Sequence, residues 1–119
     1  MTGKINSVSN IITVRQGDSY DLYFQFRTSC GTPIDMTNSV IKMQAVNESE
    51  EPVLTKTAET IDIKKGLFCL TLTPSETNID VGDYQTDIQF QMPDGRINTF
   101  FPSDVNKVGI LRITKQITK

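Results

Sequence analysis

IDVGDYQTDIQ, residues 79–89, sets Asp80, Gly82 and Tyr84 at alternate positions immediately ahead of a cleanly alternating run. Over residues 84–92, Tyr84, Thr86, Ile88, Phe90 and Met92 fall on one side and Gln85, Asp87, Gln89 and Gln91 on the other. A period of two is the mark of a strand with one buried face. The three residues ahead of that run suit a structural corner. Asp80 can bond backbone N–H groups in a turn, Gly82 lets the chain bend sharply, and Tyr84 joins an apolar ring to a hydroxyl that needs a partner.

The same period recurs along the chain. Residues 20–27 (YDLYFQFR) set Tyr20, Leu22, Phe24 and Phe26 against Asp21, Tyr23, Gln25 and Arg27. Residues 67–72 (LFCLTL) and 40–46 (VIKMQAV) alternate likewise, and shorter runs at 11–15, 53–58, 60–63, 97–101 and 108–114 bring the expectation to eight or nine strands. Turn residues punctuate them: QGD at 16–18, SCGTP at 29–33, NESEEP at 47–52 and KKG at 64–66. Asp94-Gly95, within PDGR, is the strongest hairpin signal and is expected to supply the positive φ angles of a tight turn. Helix is confined to one turn at residues 73–79, with Thr73 as N-cap, Pro74 first and Glu76 three after the cap, and to a second short turn at 35–38.

Turn signals at this spacing predict a sandwich or a small barrel. The corner selects between them. In Ig-like sandwiches a tyrosine near the start of one strand bonds backbone a few residues upstream and pins the crossover between sheets. Asp80, Gly82 and Tyr84 match that corner, whereas Thr86 stands where antibody domains carry cysteine and the chain has no Trp. The expected fold is therefore an all-β, two-sheet antiparallel Ig-like β-sandwich of about eight short strands, without the immunoglobulin disulfide. Residues 1–10 are expected to form a flexible arm and residues 11–119 a single domain.

Composition narrows the function. The 119 residues carry a net charge of −2, which supplies no basic field for nucleic acid. No run approaches the ~18 apolar residues of a membrane span, and residues 1–10 lack the apolar centre of a signal peptide, so synthesis in a cytoplasm is expected. There is no histidine, which removes Ser-His-Asp and Cys-His arrangements and His-ligated metals. The seven glycines stand singly and form no phosphate loop. Cys30 and Cys69 read as free thiols, with one cross-link as the alternative. Asp83 and Asp87 share a strand face, where a calcium site or a glycosidase pair competes with a solvated outer surface. No enzyme and no cofactor are expected.

The apolar residues exceed what one core needs. Ile11 and Ile12 beside the arm, Tyr23 on an outer face, and Phe100 with Phe101 are the candidate interface, since arms and open strand edges are how small β domains join other chains. Exposed Tyr23 also raises an alternative, a carbohydrate or cell-surface binding module.

Four stretches taken together resemble a known family: ITVRQGDSYDLYFQF (12–26), GTPIDMTNSVIKMQ (31–44), GLFCLTLTPSETNIDVGDYQTDIQF (66–90) and MPDGRINTFF (92–101). Their order is similar to small Ig-like virion proteins of tailed bacteriophages, including the N-terminal domain of upper baseplate proteins. Gly31, Pro33, Asp35 and Thr37 match the family's G-x-P-x-D-x-T turn, Gly82 and Tyr84 its corner, and Asp94-Gly95 its hairpin. The resemblance implies a non-enzymatic virion protein of tail, baseplate, collar or capsid that is made in the bacterial host cytoplasm. It also implies docking onto other virion structural proteins, in many copies or as a homo-oligomer.

Overall fold

The computed structural model describes residues 10–102 and 106–117. The expected arm at residues 1–10 lies outside them except for Asn10, whose side chain donates to the Val108 carbonyl at 2.9 Å. Among the described residues nine strands form: β1 (Ile11–Arg15), β2 (Tyr20–Gln25), β3 (Val40–Val46), β4 (Pro52–Thr57), β5 (Glu59–Asp62), β6 (Leu67–Leu72), β7 (Gly82–Gln91), β8 (Ile97–Phe101) and β9 (Gly109–Thr114). One helical turn, α1 (Pro74–Thr77), separates β6 from β7.

The strands build a two-sheet Ig-like β-sandwich. The larger sheet runs β1-β9-β7-β3-β4, with β8 beside the second half of β7; the smaller runs β2-β6-β5. β7 is the spine. Its residues 85–91 pair with β3, its first half with β9 and its second half with β8. All pairings are antiparallel except β1–β9, which is parallel from Ile11 opposite Ile110 to Arg15 opposite Thr114. No hairpin joins those two strands, so no tight turn forces them antiparallel.

The alternation does what period two requires. Leu22 and Phe24 of β2, Ile41 and Met43 of β3, Leu70 and Leu72 of β6, and Leu111 and Ile113 of β9 all bury between the sheets. One end of the core is aromatic, with Phe24, Phe26 and Phe90 around Phe100 at ring separations of 5.2–6.0 Å. The Phe24 and Phe26 contacts are edge-to-face, the geometry the ring quadrupoles favour.

The corner closes through Tyr84. The Tyr84 hydroxyl donates to the main-chain carbonyl of Asp80 at 2.6 Å. Burial, with the Asp80 charge nearby, holds the phenol above its ordinary pKa, so it stays a donor through neutral pH. Gly82 carries φ of 151°, a region that essentially only glycine occupies. Tyr84→Phe is expected to lower stability by about 1 kcal/mol with an unchanged denaturant m-value. Urea titration checks it, and equal stability would remove the corner bond from the account of the fold.

α1 is capped as the sequence predicts. The Thr73 side chain accepts from the Glu76 N–H, and Glu76 reaches back to the Thr73 N–H at 2.9 Å. The QGD turn docks on this helix, since the fully buried Thr77 donates its hydroxyl to the Asp18 carbonyl at 2.7 Å.

The hairpin differs from expectation. Met92 N–H bonds the Arg96 carbonyl and Gly95 N–H the Met92 carbonyl, so the loop is three residues, 93–95. Only Gly95 takes a positive φ, 92°, while Asp94 stays in the ordinary region. A type I turn closed by a left-handed glycine needs one such residue, where a two-residue I′ turn needs two. Asp94 instead uses its carboxylate to hold Arg96, through the backbone N–H at 3.1 Å and the guanidinium at 2.7 Å.

Candidate interaction surface

Three of the five candidate interface residues belong to the core. Ile12 and Phe101 are buried, and Phe100 packs among the rings described above. For Phe100 the cause is a β-bulge. Phe101 lies opposite Ile88 but Thr99 opposite Gln89, so Phe100 is an extra residue on β8. A bulge lets two successive side chains serve one face, and strict alternation had assigned one of them outward. Leu111 and Ile113 of β9 are buried as well. Ile11 and Tyr23 are exposed at 38% and 42%, as an interface requires.

Asp83 is committed to structure. Arg112 grips Asp83 across the β7–β9 pair with two bonds, 2.8 and 3.0 Å, and this clamp holds the Asp83 carboxyl below its ordinary pKa. Asp87, further along the same face, is pushed up by partial burial. Among the described residues no three His, Cys, Asp or Glu side chains gather to hold a metal ion. Cys30 is exposed and Cys69 half-buried, and both are free thiols.

Two shallow grooves mark the larger sheet. One, of about 440 Å³, lies between the 47–50 turn and Asp83, Gln85 and Ile110. The other, of about 360 Å³, is lined by Thr86, Asp87, Thr99, Pro102, Lys107 and Val108. Neither contains an aromatic ring. Tyr23 stands on the other sheet, opposite Cys69 of β6. Exposed Tyr23 and these two grooves are thus on different sheets; on the larger sheet Tyr84 lines a further groove of about 350 Å³ with Asn47, Glu48 and Asp83.

The strand edges are more informative. An open edge presents unpaired N–H and C=O groups, and proteins blunt such edges with bulges, Pro, Lys or very short strands. β4 opens on Pro52, carries Lys56 and meets β3 through a bulge. β5 has four residues and a bulge. β8 has the bulge at Phe100. Two edges have none of these, β1 with five residues in unbroken register with β9 and β2 with six, YDLYFQ, in unbroken register with β6; among the described residues neither has a strand on its other side, and β2 is the longer. The sequence signal was present in the alternation of residues 20–25, but nothing local says which strand ends up at an edge.

No protein-family model and no curated protein sequence matches this chain. Among solved structures, the fold is similar to CopC from Methylosinus trichosporium OB3b, with 18% identity, a TM-score of 0.49, and 95% of this chain and 92% of that one covered. It is also similar to murine CRIg, with 9% identity, a TM-score of 0.40, and 91% and 93% covered. Both likenesses are loose and carry no functional weight.

Proposed function

We propose that this protein is a non-enzymatic structural subunit of a bacteriophage virion, in the tail, baseplate, collar or capsid, that docks onto other virion subunits through an open strand edge. The observation that carries the docking role is β2, the longest described edge strand with no bulge, proline or lysine to blunt it, one residue longer than β1. The virion setting rests on the ordered motifs at residues 12–26, 31–44, 66–90 and 92–101. In the structure these residues form the QGD turn on α1, the 31–37 turn, the tyrosine corner and the β7–β8 hairpin. A symmetric particle holds many copies, so contacts that are weak singly add through multivalency.

The test is co-sedimentation. Particles purified on a density gradient are expected to carry this chain, by mass spectrometry, at a fixed ratio to the major structural proteins. Recovery only in the soluble fraction would overturn the virion role.

A further inference from the structure

We infer that the open edge of β2 receives a second copy of this chain: two β2 strands pair antiparallel about a two-fold axis at Tyr23, joining two three-stranded sheets into one of six strands. This rests on the reading of β2 as a docking edge and names its occupant.

The backbone sets the first condition. The Phe26 N–H donates to the Gly66 carbonyl at 3.0 Å, toward β6. Backbone groups alternate sides along a strand, so Phe24, Leu22 and Tyr20 also face β6. Asp21, Tyr23 and Gln25 therefore aim their N–H and C=O groups at the open side. These same residues carry the outward side chains of the smaller sheet.

The side chains set the second. With the axis at Tyr23, Tyr23 meets Tyr23 of the second copy, and Asp21 meets Gln25 in both directions. Those three hydrogen-bonded pairs supply about six inter-strand bonds, two for each pair. The side chains are complementary. A Gln25 amide faces each Asp21 carboxylate, and the Arg27 guanidinium, which holds Gln25 Oε1 at 2.6 Å and the Gly31 carbonyl at 2.8 Å and keeps two N–H groups, falls on the diagonal to the same carboxylate. Asp21 has room for this, because Thr71 occupies only its Oδ1, at 2.9 Å. Gln25 spends one amide N–H on the Lys65 carbonyl at 3.2 Å and keeps the other.

Only the axis at Tyr23 gives three hydrogen-bonded pairs inside β2; one at Phe24 gives two, Tyr23–Gln25 in both directions, and sets Asp21 opposite Arg27 beyond the strand's end. An axis at Asp21 sets two carboxylates face to face. An axis at Leu22 leaves only Asp21–Tyr23 pairs within the strand, about four bonds. An axis at Gln25 leaves only the Gln25–Gln25 pair within the strand, about two bonds.

Sedimentation velocity on the full chain in reducing buffer, across a concentration series, is expected to show a monomer–dimer equilibrium. Tyr23→Pro removes an N–H that faces the open side and breaks no β2–β6 bond, the setting in which an edge strand tolerates proline. It is expected to weaken dimerisation at least about 100-fold, a change of about 2.7 kcal/mol, while the far-UV circular dichroism is retained. Should that variant fail to fold, a cross-link decides. Tyr23→Cys is made together with Cys30→Ser and Cys69→Ser, since Cys69 is the cross-strand neighbour of position 23. Directly opposed Cα atoms in such a pair lie about 5.5 Å apart, within disulfide reach. Oxidation is expected to give a covalent dimer from Tyr23→Cys and none from Gln25→Cys in the same background. A wild-type chain monomeric at every concentration, a dimer indifferent to Tyr23→Pro, or cross-linking at 25 and not at 23 would overturn the inference. A confirmed dimer that stays out of the particles would leave this inference standing and sink the virion role; a monomer that tracks with particles would do the reverse.

Discussion

Phe101→Ala is expected to destabilise the isolated chain by about 3–5 kcal/mol, the cost of emptying a phenylalanine-sized site in a packed core. Phe101 is 1% exposed and lies opposite Ile88, itself fully buried, in the β7–β8 pair. Its ring also closes against Gly109 on β9. Three strands thus lose a shared contact at once. Against a total stability of about 5–15 kcal/mol for an ordinary domain, the loss should lower Tm by roughly 10 °C or more. Chemical denaturation of the purified chain measures it, with the m-value as a check that the unfolded state is unchanged. An interface residue behaves otherwise: surface substitutions stay within about 0.5 kcal/mol and show their effect only on binding. A Phe101→Ala chain as stable as the wild type would restore Phe101 to the interface and remove it from the core.

The second large effect is expected at a glycine whose backbone is unremarkable. A Cβ built on Gly109 would lie 2.3 Å from the Thr86 carbonyl oxygen and 3.1 Å from both the Phe101 ring and Pro102. Gly109 opens β9 and pairs directly with Thr86 of β7. Thr86 is poorly placed to yield, because its hydroxyl is bonded to the Gln44 carbonyl of β3 at 2.7 Å. A methyl group must therefore prise β9 from β7 or displace the Phe101 ring, and Gly109→Ala is expected to cost about 3 kcal/mol or more. Gly95→Ala is the control. Its φ of 92° is strained for alanine, yet a Cβ there meets nothing within 4 Å. The control should lose only the left-handed penalty, about 1–2 kcal/mol. Thermal melts of the two variants decide the order, and a larger loss at Gly95 would contradict the close β7–β9 approach.

The pairing of these two glycines shows where local reading stops. Gly95 announced itself through the Asp-Gly dipeptide, because turn chemistry is a property of adjacent residues. Gly109 gave no such signal, because what crowds it comes from strands distant in sequence. The corner at Asp80, Gly82 and Tyr84 and the capping box of Thr73 and Glu76 were legible for the same reason as Gly95: each closes within a few residues. The candidate interface was legible only in part. Ile11 and Tyr23 are exposed, but Ile12, Phe100 and Phe101 are not, since a bulge on β8 shifts the face of one side chain and β1 packs its Ile12 inward.

What the sequence determined by itself is the set of strands, their buried faces and the turns between them, because a period of two and a capped or glycine-bearing turn act over neighbouring residues. The alternation of buried and exposed positions along β2, β3 and β9 follows it without exception for the apolar residues named. The partnership of those strands was decided only by the tertiary structure. The parallel join of β1 to β9, the sharing of β7 between β8 and β9, and the position of β2 at an unblunted edge all depend on which surfaces meet across the sandwich. Packing two faces together is a long-range condition, and it is this condition that leaves β2 open to another chain.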